Sequence, residues 1–414
     1  MTVQIKRALL GAALLLILAF GVPLSYAQED FTLITATDLH FISPKLTDGG
    51  AYFTAMIESA DGKMTHYSAE IVDAFVSQVI RRKPDALVLT GDLTFNGAKQ
   101  SHENLAEKLR PILEAGIPVY VMPGNHDLNS RAAASFSGEG YTLVPGVTAA
   151  EFAEIYRDFG FSSAIARDSH SLSYIAQLRP GLRLLMLDTN TPETPGAIRQ
   201  STLAWLKEQL EHACGAGDKV IAASHQNLYA HSSLLSRGFV IANAQSLEAL
   251  YPQHGVLINL SGHIHMQHTV RGTGITPEAA TSSLSVSPCQ YGVVTLGRDT
   301  GSYHTEITDV SAWAKENGIT DPNLLHFDVY ADAFFRLLAV RQALSMLGER
   351  ADAQAMADCL AGINAAYFSG RLDTLNPDPA LIDSWSATQT FFGLYVDSIL
   401  EESGVDHTRF IFPI

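Results

Sequence analysis

Short apolar runs that stop abruptly in polar residues recur through the first three hundred positions. Residues 31–37 (FTLITAT) are rich in β-branched side chains and end at Asp38-Leu39-His40. Residues 86–90 (ALVLT) end at Gly91-Asp92, and residues 117–122 run into Pro123-Gly124-Asn125-His126-Asp127. Each has the length and composition of a buried strand. Between them, Ile71, Phe75 and Val79 recur at helical spacing within residues 68–83, closed by Pro84, and residues 105–115 read as a second helix. Strand, helix, strand, helix, strand predicts an α/β fold with parallel strands at its centre. Loops at the carboxyl ends of such strands are where ligands bind. Residues 43–65, rich in Gly, Asp and Ser, read as a loop beside the first strand end, and residues 128–147 as a mobile loop flanking the site.

The pattern continues with strands over 172–176 and 182–187, a helix over 200–212, a strand over 219–224 that delivers His225, and a strand over 255–260 that ends in Ser261-Gly262-His263-Ile264-His265. Residues 270–275, 279–286 and 291–296 alternate or run apolar between Gly and Pro, which predicts an antiparallel second sheet. From about residue 310 the period changes. Aromatic and aliphatic positions such as Phe334, Phe335 and Leu338, or Phe391, Phe392 and Tyr395, fall at helical spacing within 322–347, 350–368 and 379–401. Residues 310–414 therefore read as a helical C-terminal domain, a hundred residues being domain-sized.

Residues 1–27 stand apart. Lys6 and Arg7 precede an apolar run and a Ser25-Tyr26-Ala27 segment, the pattern of a secretory signal peptide. Cleavage after Ala27 and export to the periplasm or the medium are expected; an uncleaved membrane tether is the competing reading, and no later stretch has the length of a span. Loss of Lys6 and Arg7 moves the net charge from −16 to −18. A surface this acidic disfavours long nucleic acid and anionic membranes as partners, and any anionic substrate must be attracted locally. Cys214, Cys289 and Cys359 are too few and too scattered for a disulfide framework or a cysteine metal site.

Collected from the strand ends, Asp38, His40, Asp92, Asn125, His126, His225, His263 and His265 offer carboxylate, amide and imidazole donors without a thiolate. That set suits Mn, Fe or Zn rather than a structural zinc site. It exceeds what one ion needs and suits two ions sharing a carboxylate, a clamp that generates hydroxide and stabilises both oxygens of a phosphoryl displacement. Two divalent ions, offset by two aspartates and one hydroxide, leave a net positive centre inside an acidic protein.

The series D-x-H (Asp38, His40), G-D (Gly91, Asp92), G-N-H-D (Gly124 to Asp127), a lone His225 and G-H-x-H (Gly262 to His265) resembles the calcineurin-like metallophosphoesterases. The resemblance spans residues 31–308. It implies a four-layer α/β/β/α sandwich of two mixed sheets over residues 28–309, with two divalent or trivalent metal ions. One ion would take Asp38, His40, Asp92 and His265; the other would take Asp92, Asn125, His225 and His263, with Asp92 bridging. It implies His126 as the catalytic proton donor or transition-state stabiliser, a task suited to an imidazole, while Asp127 orients a neighbour. The stretch Gly91-Asp92-Leu93-Thr94-Phe95-Asn96-Gly97 lacks the Asp and Arg expected of protein phosphatases and resembles the class III cyclic nucleotide phosphodiesterases. Asn96 is then a candidate for a phosphate oxygen or metal-bound water, or a turn residue. His231, His268 and Tyr229 are further candidates for the pocket. The expected function is a secreted phosphodiesterase acting on small phosphodiesters or nucleotides; the alternatives are a broad phosphomonoesterase or nucleotidase, and an inactive metal-binding envelope protein.

Overall fold

In the computed structural model, which describes residues 30–414, the apolar runs become strands. In chain order these are β1 (Phe31–Ala36), β2 (Ala86–Leu89), β3 (Val119–Val121), β4 (Ala134–Ser137), β5 (Gly140–Leu143), β6 (Ala166–Arg167), β7 (Tyr174–Arg179), β8 (Leu182–Leu187), β9 (Lys219–Ser224), β10 (Val256–Ser261), β11 (His268–Val270), β12 (Glu278–Ala280), β13 (Gln290–Leu296), β14 (Thr300–Ile307) and β15 (Arg409–Pro413). The signal-peptide expectation for residues 1–27 lies outside the described residues. No helix among the described residues is long and apolar enough to cross a membrane.

The strands form two large mixed sheets. One has the order β15-β14-β13-β1-β2-β3, with β1, β2 and β3 parallel and the other three antiparallel. The other has the order β11-β12-β10-β9-β8-β7-β6, parallel from β12 to β8 and antiparallel at its edges. Side chains alternate across a strand, so each sheet has two apolar faces to cover. Leu184 and Met186 of β8 and Ile221 and Ala223 of β9 belong to the core shared by both sheets. Their neighbours Leu185, Leu187, Val220 and Ala222 pack instead with Leu206, Leu210 and Tyr251 of the helices Gln200–Ala216 and Gln245–Gln253. On the other side, Phe75 and Leu105 of the helices Ser68–Arg82 and Lys99–Glu114 join the shared core. The result is the expected α/β/β/α stack. Each fully buried side chain of this size stabilises by about 1.5–3 kcal/mol.

Residues 310–414 are mostly helical; helices Phe327–Leu347 and Ala353–Phe368 build a second core cluster that also takes in Ile264, Met266 and Ala280, while Phe327 and Ala331 join the core of the sheets. Trp385 is fully buried there and donates from its indole nitrogen to the Met356 carbonyl at 2.9 Å. The chain then returns: β15 pairs antiparallel with β14 and closes the edge of the first sheet. Nothing in the helical periodicity announced that strand.

Three local expectations fail, each for a packing reason. Residues 43–65 are not all loop; Ala51–Glu58 forms a two-turn helix because Phe53 and Ile57, one turn apart, have a small core to enter with Phe136. Residues 128–147 contain the β4–β5 hairpin, held by the same Phe136. The antiparallel second sheet does not form as read. β12 pairs parallel with β10, and β13 leaves to pair with β1 in the first sheet. Residues 281–286 alternate without being a strand because they strap the site: Ser283 and Ser285 donate their hydroxyls to the Asp38 carbonyl at 2.8 and 3.2 Å.

Candidate metal centre

Asp38, Asp92, Asn125, His225 and His263 lie just beyond the carboxyl ends of β1, β2, β3, β9 and β10, so the sheets bring five separate sequence segments to one place. Backbone hydrogen bonds lock these loops together: Asp38 N to Gly91 O at 3.0 Å, His40 N to Asp92 O at 3.1 Å, and Gly262 N to His225 O at 3.1 Å. The lock holds strained backbone. Asp38, His40, Asp92, His263 and His265 all have positive φ, between 42° and 68°, where a residue with a Cβ is disfavoured by about 1–2 kcal/mol. Strain of this kind persists where the surroundings over-determine it, typically at functional sites.

Glycine is required at two points of closest approach. A Cβ on Gly124 would lie 2.2 Å from both the amide nitrogen and Oδ1 of Asp92, and one on Gly262 would lie 1.9 Å from Thr37 Oγ1 and 2.6 Å from Asp38 Oδ2.

The donors converge as two groups sharing Asp92. Asp38, His40, Asp92 and His265 form one, and Asp92, His225 and His263 the other, each with ligand atoms within 4.8 Å of one another. His40 Nε2 and His265 Nε2 face each other at 3.1 Å, with Asp38 Oδ1 at 3.6 and 3.2 Å from them. Asp92 Oδ1 lies 3.4 Å from His225 Nε2, and its Oδ2 lies 4.0 Å from His40 Nε2. Asn125 Oδ1 adds an amide oxygen 3.0 Å from His225 Nε2.

These residues fit metal ions. Asp38 Oδ2 is satisfied by Thr37 Oγ1 at 2.7 Å and the His263 amide at 2.8 Å, whereas Oδ1 is buried with no hydrogen-bond partner and points at the two imidazoles. Backbone carbonyls set the imidazoles. His225 Nδ1 donates to Thr90 O at 2.9 Å and so turns Nε2 to the site; His263 Nε2 donates to Gly238 O at 3.0 Å, leaving Nδ1. This is the outer-shell arrangement that orients metal-binding histidines.

The electrostatics agree. Burial acts to raise both carboxyls, but His265 beside Asp38 and His225 beside Asp92 hold them well below the ordinary carboxylate range. Burial opposes a charge on His225, yet Asp92 keeps it up at about 9. Burial, with His225 adding to it, pushes His263 down to about 4, and burial drives His40 well below its ordinary value. Two ionised carboxylates thus share a buried site with the neutral imidazoles of His40 and His263, an environment that favours cations.

His126 lies outside both groups. Its Nδ1 donates to the Phe95 carbonyl at 2.7 Å, so Nε2 is turned to the site, 3.8 Å from Asp92 Oδ2. Asp127 binds no ligand cluster; its buried carboxylate accepts from the amides of Leu93, Thr94 and Gly124 at 2.9–3.0 Å and joins the β2 and β3 loops. Asn96 takes the turn role, donating to Ala134 O at 3.2 Å and accepting from the Ala98 amide at 3.4 Å. Beside Asn125 and His126 opens a cavity of about 620 Å³ walled by Phe95, Phe136, Tyr52 and Tyr141, with Arg131 at its side. His231 and His268 do not line it; they are buried with Glu278 and Glu402. Tyr229 packs into the core beneath the Gln245–Gln253 helix.

Sequence reasoning missed Asp61, whose Oδ2 lies 3.6 Å from His265 Nδ1. Its only signal was a carboxylate in the stretch flanking β1. Three of the aromatic walls, Tyr52, Phe136 and Tyr141, come from the Ala51–Glu58 helix and the β4–β5 hairpin, elements too short to leave a periodic signal.

Comparison with known proteins decides the family. The pattern of the calcineurin-like phosphoesterases matches residues 31–267, more than half of the chain. The chain belongs to the calcineurin-like phosphoesterase family. It is a metal-dependent phosphoric ester hydrolase of a family that uses a dimetal centre. A second pattern, the C-terminal domain of cyclic nucleotide phosphodiesterase, matches residues 309–406. Among relatives, a cAMP/cGMP dual specificity phosphodiesterase of Mycobacterium tuberculosis is 24% identical over 260 residues, covering 62% of this calcineurin-like phosphoesterase and 69% of the relative. A probable glycerophosphodiester phosphodiesterase of Arcobacter nitrofigilis is 23% identical over 276 residues, covering 63% and 86%. A probable cyclic nucleotide phosphodiesterase of Synechococcus is 25% identical over 255 residues, covering 61% and 80%.

Proposed function

We propose that this calcineurin-like phosphoesterase is an exported phosphodiesterase with a binuclear metal centre, acting on small phosphodiesters of the cyclic nucleotide kind. The observation that carries the reading is the sharing of Asp92 between two converging donor groups, beside a histidine that binds neither. Asp38, His40, Asp92 and His265 would hold one ion, and Asp92, Asn125, His225 and His263 the other. When bound, a pair of ions supplies Lewis acidity toward a phosphoryl oxygen and lowers the pKa of water. His126, fixed through Nδ1 by the Phe95 carbonyl, presents Nε2 to the leaving oxygen and gives it a proton. Asp61, 3.6 Å from His265 Nδ1, places a negative charge on that side of the ring, which favours a hydrogen on Nδ1 and leaves Nε2 for the site.

The substrate class follows from the cavity next to His126. Phe95, Phe136, Tyr52 and Tyr141 offer flat apolar faces to a nucleobase. The names of the Mycobacterium tuberculosis and Synechococcus relatives support the same class. A diester carries one negative charge, which fits a site without the protein-phosphatase arginine. The basic pair and apolar run of residues 1–27 support export.

The test is a substrate panel with manganese-loaded protein: a 3′,5′-cyclic nucleotide, a glycerophosphodiester and p-nitrophenyl phosphate. The highest kcat/KM is expected for the cyclic nucleotide, with Phe136→Ala raising its KM more than that of the glycerophosphodiester. A monoester hydrolysed faster than both diesters would overturn the reading.

A further inference from the structure

The short helix Ala51–Glu58 borders two cavities. Tyr52 and Met56 line the one beside His126, whereas Phe53, Ile57 and Glu58 line a second of about 500 Å³. The second shares no residue with the first or with either donor group. Its other walls come from residues 65–70 and from the helix Phe327–Leu347, so it opens where the sandwich meets the C-terminal region. This is the volume of a small-ligand pocket.

The wall is aromatic and acidic. Tyr330 and Phe334, one turn apart on their helix, have ring centroids 6.0 Å apart, and Tyr67 stands perpendicular to Tyr330 at 5.4 Å. The faces of such rings carry negative potential. Two carboxylates join them, Glu58 and Glu70, and no lysine or arginine. Glu58 is bridged to Arg341 at 3.0 Å. Glu70 has no ion pair among the described residues: Lys108, whose charge reaches it, is held by both oxygens of Asp73 at 2.7 Å. Burial raises the Glu70 carboxyl above its ordinary value, with Asp73 and Asp321 adding to it, while its place in the first turn of the helix Ser68–Arg82 favours the ionised form. His66 offers no compensating charge, since burial pushes it down to about 4. Two polar atoms of this wall, Thr65 Oγ1 and His66 Nδ1, are buried without a hydrogen-bond partner. Cavities that stay dry are apolar, and this one is not.

An anion is excluded by the two carboxylates, and a hydrocarbon would leave Glu70 and the orphaned polar atoms uncompensated. We propose that this cavity is a second ligand site, for a small organic cation of the quaternary ammonium class, held among the rings of Tyr67, Tyr330 and Phe334 with Glu70 as its counter-charge. Aromatic rings within about 6 Å of the cation are the usual means of recognising such groups. The site does not depend on the phosphodiesterase reading, because none of its residues takes part in that chemistry.

The test uses full-length, zinc-loaded protein and choline as the probe, titrated by saturation-transfer NMR on the choline methyl signal. Its neutral isostere 3,3-dimethyl-1-butanol is titrated alongside. Choline is expected to bind with a Kd on the order of 1 mM, and the neutral alcohol about tenfold more weakly. Glu70→Gln and Phe334→Leu should each weaken choline binding by about fivefold or more, with circular dichroism confirming that both fold. Tyr141→Ala, in the wall of the cavity beside His126, should leave it unchanged. No choline binding at about ten times that Kd, or equal binding of choline and the alcohol, overturns the proposal without recourse to any variant. Choline binding that survives in both Glu70→Gln and Phe334→Leu, or is lost in Tyr141→Ala, overturns it as well. Diester turnover measured on the same samples reads the metal centre separately, so failure of that reading and failure of this site are distinguishable.

Discussion

Gly262→Ala is a one-atom perturbation whose effect can be worked from distances. The new Cβ would start 1.9 Å from Thr37 Oγ1 and 2.7 Å from Thr37 Cβ, while real contacts of this kind begin near 3.0 Å. About 1.1 Å of movement is needed between the Gly262 and Thr37 backbones. Thr37 cannot swing away freely, because its hydroxyl is committed to Asp38 Oδ2 at 2.7 Å, and the same carboxylate oxygen holds the His263 amide at 2.8 Å. The displacement therefore falls on Asp38 and His263, one residue from each group of donors. Overpacking of a tight core costs about 1–3 kcal/mol, and a shift of about 1 Å at a reacting centre costs on the order of 10²-fold in rate. Gly215→Ala is the control, since nothing lies within 4 Å of a Cβ there and the position is helical; alanine in place of glycine stabilises a helix by up to about 1 kcal/mol. The assay is kcat/KM on bis-p-nitrophenyl phosphate, with urea denaturation of both proteins. Gly262→Ala activity within about threefold of the parent would refute the claim that this approach positions the donors.

Two other outcomes follow from the same geometry. His126→Gln should lower kcat by roughly 10²–10⁴-fold while the metal content stays that of the parent, because His126 belongs to neither donor group; loss of metal in this variant would contradict the assignment. His66, hydrogen-bonded to Tyr330 of the C-terminal region at 2.7 Å, is pushed down to about 4 by burial, from an ordinary value of 6.5. Above pH 6.5 neither the folded nor the unfolded chain holds a proton there, and the stability contribution is constant. Below it the unfolded chain takes up a proton that the folded one refuses until about pH 4, so stability falls with acidification across that window, by about 2 kcal/mol at pH 5. His66→Gln should show that much less loss between pH 7 and pH 5 in urea denaturation, and an identical loss in both proteins would sink the argument.

The ligand set was legible because it uses rare residue types at strand ends. Each of Asp38, Asp92, Asn125, His225 and His263 follows an apolar run within a residue or two, and a parallel sheet has to gather such positions along one edge. The two-sheet stack was legible only through the family resemblance that the same ligand residues carry, since β8 is apolar on both faces and its sequence does not say which sheet covers it. What periodicity could not convey was pairing. β13 and β12 have equally strand-like sequences, and only long-range packing assigns one to β1 and the other to β10. The Ala51–Glu58 helix and the β4–β5 hairpin were hidden because each is short and depends on a shared apolar contact, Phe136, rather than on its own propensity. The carbonyls of Thr90, Phe95 and Gly238 that orient three histidines carry no side-chain signal at all. His268 was read as a candidate for the pocket but lies 2.6 Å from Glu402, 134 positions away, a contact that no local pattern records.

The central claim is that Asp92 holds two metal ions together for phosphodiester hydrolysis. Its most direct test measures manganese per chain and turnover of bis-p-nitrophenyl phosphate in the same samples, for the parent and for Asp92→Asn, after chelation and reloading. The account predicts that metal-free parent is inactive, that reloading restores turnover together with a pair of ions, and that Asp92→Asn, with its bridge neutralised, loses turnover together with at least one ion. Full diester turnover in the chelated parent, or in Asp92→Asn, would contradict it.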